Sequence, residues 1–123
     1  MLSDVYENLC RVLQDHATGR IQSRTGSDGG FTLYYPGPLT AMGREMPELY
    51  FVGTTPRKSS VVFYYFPLYM NEELAAKLDP GLMKLLKGKT CFHLKTWTPE
   101  IEKAIREAVT LGSECFDKIA VPV

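Results

Sequence analysis

The chain has 123 residues, 45% apolar and 23% charged, and its 14 lysines and arginines balance 14 aspartates and glutamates. Those values suit one globular domain with its own core, spanning 1–123, and exclude a disordered polyelectrolyte. The lack of a basic excess argues against a nucleic-acid partner, which requires cations to neutralise phosphates.

Along the chain, Ser3 is placed to cap a first helix over residues 3–18, with Asp4 in its first turn where a negative charge suits the helix dipole. Val5, Leu9, Val12, Leu13 and His16 fall on one helical face, and Gly19 is a natural stop. Residues 25–30 then read as turn chemistry, with three glycines and an Asp28 able to close an Asx-turn. A phosphate loop would need a helix behind it, and Phe31, Leu33, Tyr34 and Tyr35 read as strand instead. Residues 21–24 and 31–35 are therefore expected to form a hairpin. Three prolines and two glycines predict an irregular loop over 36–47, held on apolar surface by Leu39, Met42 and Met46.

Residues 48–54 and 59–66 are the clearest strands. Leu49, Phe51, Val61, Phe63 and Tyr65 form one alternating face; Tyr50, Val52, Val62, Tyr64 and Phe66 form the other. Both faces are apolar, so this hairpin is expected to lie centrally, with helix on one face and a loop or partner on the other. Asn71 and Asp79-Pro80 predict two short helices, over 72–78 and 81–86. A strand over 90–95 follows, with Cys91, His93 and Lys95 on its wetter side. Thr98-Pro99-Glu100 opens a final amphipathic helix whose inward stripe runs through Ile101, Ala104, Ile105, Ala108, Gly112, Cys115 and Phe116. This order predicts an α+β fold, a mainly antiparallel sheet of about four to five strands with N- and C-terminal helices packed on it.

Three widely spaced cysteines, Cys10, Cys91 and Cys115, argue for free thiols in a reducing compartment. The N-terminus has neither the basic start nor the apolar run of a signal peptide, and the longest apolar stretch, 61–70, is half the length of a membrane span. A cytoplasmic protein with no membrane partner is expected.

Several constellations bear on chemistry. Cys91 and His93, two apart on one strand, are a candidate pair of soft metal ligands with His16 or Cys10, or a nucleophile and base. No third residue suggests itself to orient the histidine, so no catalytic residue is assigned, and metal and cofactor stay unknown. Lys87, Lys89 and Lys95, with Lys84 nearby, make a basic patch fit for an anion. Acidic residues on both terminal helices are interleaved with Lys103, Arg106 and Arg11, which reads as ion-paired surface. The outlier is the surplus of aromatic side chains around the hairpin. It reads as an ordinary core, or else as a ligand cavity under the 36–47 loop or a dimer face.

The strand from Ser59 to Leu68, a short helix, the run Leu85-Leu86-Lys87-Gly88-Lys89-Thr90-Cys91-Phe92-His93-Leu94 and a closing helix over 98–118 together resemble the YdhG-like domain-of-unknown-function family. A Gly-Lys-x-x-Phe strand precedes a final amphipathic helix there too, and Met46-Pro47 is similar to that family's approach to its sheet. The resemblance covers the C-terminal two thirds and implies a compact α+β domain. Some members are described as frataxin-like iron chaperones, which implies an acidic iron-binding surface; here the acids are diluted by Lys and Arg.

The sequence thus favours a non-enzymatic binding or interaction module. A small-molecule ligand, a protein partner or a second copy would sit on an aromatic sheet surface marked by Tyr35, Met46, Tyr50, Tyr64, Phe66, Cys91 and His93. An iron- or metal-binding chaperone-like protein is the alternative, and an enzyme using Cys91 and His93 the second alternative.

Overall fold

The computed structural model describes residues 2–26 and 29–123. Helix α1 (Leu2–Asp15) buries Val5, Leu9, Val12 and Leu13, the stripe its periodicity predicts. It stops short of residue 18, where the chain turns through Gly19 at φ +60°. Strands β1 (Gln22–Thr25), β2 (Phe31–Ala41), β3 (Arg44–Pro56) and β4 (Val61–Tyr65) follow as an antiparallel meander. The expected hairpin of 21–24 with 31–35 is present as β1 on β2; Asp28, and with it the expected Asx-turn, lies outside the described residues.

After β4 come α2 (Pro67–Met70), a 3-10 turn (Glu72–Lys77) capped by the Asn71 side chain on Glu73 N, and α3 (Pro80–Met83) capped by Asp79. Then β5 (Leu86–Lys87), β6 (Cys91–Leu94), α4 (Pro99–Ile119) and β7 (Val121–Pro122) complete the chain. The Thr98 hydroxyl accepts from Ile101 N at 3.1 Å, with Pro99 in the first turn of α4.

The fold is α+β. One seven-stranded sheet has the order β1-β2-β3-β4-β6-β5, with β7 added beside β2, and its pairings are antiparallel. The strand count exceeds the expected one because β5 and β7 are two-residue ladders, too short to carry a sequence period. Helices α1 and α4 touch each other and share one core cluster with Leu33, Phe51, Phe63, Phe92 and Leu94, so both lie on the same side of the sheet. Each fully buried leucine or phenylalanine there contributes roughly 1.5–3 kcal/mol.

Two expectations are corrected. Residues 36–47 are not a loop: β2 and β3 continue through them as a hairpin, with Leu39 opposite Met46 and Ala41 opposite Arg44. The prolines are accommodated by a register shift between Pro36 and Leu39 and a cis Gly37–Pro38 peptide. A Cβ at Gly37 would collide with the carbonyl oxygens of Met46 and Pro47, so only glycine lets the strands approach there. Leu39 is buried and Met42, at the tip, is 60% exposed.

The second correction concerns Val52. Leu33 pairs with Val52 and Tyr34 with Tyr50, which leaves Phe51 as the extra residue of a β-bulge. The bulge reverses the alternation: Leu49 and Phe51 point to the helices before it, Val52 and Thr54 after it, and Phe51 and Val52 both join the core. The face opposite the helices therefore carries one apolar residue fewer than strict alternation predicts.

Candidate functional site

The candidate site lies on the open face of the sheet, the one opposite α1 and α4. Its residues follow from register, because directly paired residues of antiparallel strands project to the same side. One row crosses four strands: Gly53 on β3 pairs with Tyr64 on β4, Tyr64 with Cys91 on β6, and Cys91 with Lys87 on β5. A second row runs Thr55, Val62 and His93. At a spacing of about 4.8 Å per strand, the first row spans roughly 14 Å from glycine to lysine.

Tyr50 closes the glycine end. Its hydroxyl occupies the space a Cβ on Gly53 would need, so Gly53 acts as a seat for the phenol. More than a third of Tyr50 is exposed (37%), yet its hydroxyl end is tucked onto the sheet. Burial of that end pushes the phenol pKa up, and the neighbouring Tyr64 and Cys91 add to the shift. Tyr50 is thus a neutral hydroxyl at any physiological pH. Phe66, just past β4, meets Tyr50 edge-on at 6.1 Å and stacks on the exposed Tyr69 at 5.4 Å. Arg57 donates to the Tyr64 hydroxyl at 2.8 Å.

Toward β1 the same face is sealed by a charged clasp. Arg24 forks onto both Glu48 carboxylate oxygens, at 2.9 and 3.0 Å, and its guanidinium lies 4.2 Å from the centre of the Tyr34 ring. The Arg24 guanidinium in turn holds the Glu48 carboxyl below the usual carboxylate range.

The basic end is a recess rather than a flat patch. Lys84, Lys87, Lys95 and His93 line a cavity of about 290 Å³, together with Leu85 and Ile101. His93 Nδ1 lies 3.2 Å from the Ser60 hydroxyl, and the His93 amide donates to the Leu85 carbonyl at 3.0 Å. Lys89 is elsewhere: it faces a separate cleft with Leu68 and Glu72, its ammonium 5.7 Å from the Tyr69 ring.

Of the residues singled out in the sequence, Tyr50, Tyr64, Cys91 and His93 share the open face, and Phe66 stands at its rim. Tyr35 does not belong with them. It is fully buried on the helix side, against Phe51 and Phe116, and its hydroxyl donates to Asp117 Oδ1 at 2.9 Å. Met46 sits farther along the β2–β3 hairpin, opposite Leu39 and packed on the core. The sequence reading missed Gly53 and the clasp of Arg24 with Glu48; a glycine inside an aromatic strand was the available signal for the first.

Cys91 and His93 share a side of β6, but the thiol's neighbour is the Thr90 hydroxyl at 3.9 Å and the imidazole's is Ser60. No hydrogen bond joins thiol to imidazole among the described residues. Cys10 stands on α1 and His16 just past its last residue, both on the helix side of the sheet. Among the described residues no three His, Cys, Asp or Glu side chains converge in a way that would hold a metal ion. On the outer side of α1 and α4, Glu102 is ion-paired with Arg11 and Arg106, and Asp15 with Arg106. No described helix is long and apolar enough to cross a membrane.

No protein-family description, curated protein or solved structure matches the chain.

Proposed function

We propose that this protein is a non-enzymatic binding module that holds a small, partly aromatic ligand on the open face of its sheet. One observation carries the reading: both long helices pack on one side, while Tyr50, Tyr64 and Cys91 assemble on the other around a glycine seat. A part-exposed ring whose hydroxyl end is seated against Gly53 offers a stacking surface at little conformational cost. The resemblance to the YdhG-like family, carried by the β5–β6 segment and the closing helix, is likewise a proposal and is compatible with a cytoplasmic protein.

The probe is 1-anilinonaphthalene-8-sulfonate, a planar aromatic anion whose emission rises in apolar surroundings. Saturable fluorescence enhancement is expected for the folded protein. Tyr50→Ser should weaken it about three- to tenfold, the worth of one aromatic contact, with an unchanged far-ultraviolet spectrum. Equal affinity in wild type and Tyr50→Ser would remove the open face from consideration.

A further inference from the structure

We infer that the cavity beneath β6 is a binding site for a phosphoryl group carried by a small molecule. The inference extends the proposed binding face, since His93 belongs to that face and to the cavity wall alike, but its chemistry is carried by separate residues.

The electrostatics come first. Three lysines, Lys84, Lys87 and Lys95, surround one recess, and no carboxylate lines it. Among the described residues none of the three is ion-paired, although arginines elsewhere on the surface are clasped by carboxylates at 2.9–3.1 Å. Three like charges converging on a concavity repel one another, and an anion in the recess relieves that repulsion. Asp79 and Glu100 line the adjoining cavity, which shares Leu85 and Ile101 with this one, and not the recess itself.

The kind of anion follows from the donors. Lysine is a compact point charge with three donors, whereas the planar fork that grips a carboxylate in two-point fashion belongs to arginine. No arginine lines the recess. A tetrahedral dianion accepts hydrogen bonds in all directions and matches three independent ammonium groups better than a planar monoanion does. With Ser60 at Nδ1, His93 has its Nε2 edge left for the cavity, and the Thr96 hydroxyl adds a neutral donor to the wall. Leu85 and Ile101 make an apolar wall that excludes water from one side and strengthens the charge interaction.

Size limits the rest of the ligand. A cavity of about 290 Å³ lies just below the range of small-molecule sites, which run from about 300 to 1,000 Å³. The phosphoryl group would occupy the recess, and the remainder of the ligand would extend over Cys91 toward Tyr64 and Tyr50.

The test is a proton–nitrogen NMR titration of the intact chain with inorganic phosphate, and in parallel with acetate, at low ionic strength. Saturable shifts are expected at the amides of residues 84–87 and 93–96 with phosphate, at an affinity at least tenfold tighter than with acetate. Lys87→Ala/Lys95→Ala, two exposed substitutions outside the core, should weaken the phosphate response tenfold or more while the circular dichroism spectrum stays the same. Absence of saturation, shifts centred elsewhere, equal affinity for acetate, or an unchanged response in the double variant would each overturn the inference. Failure of the aromatic reading is separable, because Tyr50→Ser would then leave dye binding intact while the phosphate shifts persist.

Discussion

At the scale of single residues, charge is placed where partners can hold it. Glu102 on α4 accepts from Arg11 on α1 at 3.0 Å, from Arg106 at 3.1 Å and from the Trp97 indole at 3.2 Å. Arg106 then reaches Asp15 at 3.0 Å, so four charged groups tie the two helices together on their outer side. Arg11 first, then Arg106 and Trp97, hold the Glu102 carboxyl below the usual carboxylate range. A carboxylate with a depressed folded-state pKa contributes stability above its unfolded pKa of about 4.3 and loses it as pH falls through the folded value. Glu102→Gln is therefore expected to melt at a lower temperature than wild type at pH 7. The gap should narrow from about pH 4 downward and close only below the folded-state value, where both side chains are neutral. Thermal melts from pH 7 to pH 2.5 check this; a gap that stays constant with pH would show that the carboxylate's charge is not the stabilising feature. Thr54 is the opposite case: its hydroxyl is buried on the helix side of β3 with no partner among the described residues. Such a group costs about 1–3 kcal/mol of desolvation.

At the scale of elements, legibility depended on period and on turn residues. The stripe of α4 and the Thr98-Pro99 start could be read because several signals agree there: cap, proline, acidic first turn and a 3.6-residue apolar repeat. The β2–β3 hairpin could not. Its tip is a two-residue turn, Met42-Gly43, with both residues at positive φ (53° and 75°), the geometry of a type I′ turn. Asn-Gly announces such a turn, and methionine does not, because a side chain in the left-handed region is disfavoured. Three flanking prolines completed the disguise of a strand pair as a loop. The same geometry predicts that Met42→Asn, at an exposed tip with nothing to repack, raises stability by about 0.5–1 kcal/mol. Urea unfolding measures it through the midpoint; an unchanged or lowered midpoint would mean that Met42 makes contacts worth more than the backbone strain it tolerates.

At the scale of the whole molecule, the sheet's two faces were the part of the site that sequence could half resolve. Alternation in β4 correctly separated Val61, Phe63 and Tyr65 from Val62 and Tyr64. It failed one strand away, because a bulge changes the phase at Phe51 and Val52 without any change in residue type. The basic cavity was legible only as lysines close in sequence. Which of them converge depended on the turn at Gly88 (φ +78°), where Lys89 departs from Lys87 and points to Tyr69.

The core tests how far these parts act as one. A single buried cluster includes side chains from α1, from β2 through β4, from β6 and from α4, and no second core accompanies it among the described residues. A fold with one shared core is expected to unfold cooperatively, without a populated intermediate. Trp97, the chain's single tryptophan, precedes α4 and donates to Glu102, so its fluorescence reports the α1–α4 junction, while far-ultraviolet circular dichroism averages over sheet and helices. The two probes should give coincident urea transitions. The ion pairs on the outer side of α1 and α4 are solvent-screened and worth little singly, so the junction cannot persist without the core beneath it. Were the tryptophan signal to change at lower urea than the circular dichroism, α4 would have to detach from a sheet that survives on α1 alone. Residues such as Phe116 and Ile105, fully buried between helix and sheet, make that separation costly. Removing α4 would expose the inner faces of Phe51 and Tyr65 to water, and a sheet already open on its other side would then have no protected face left.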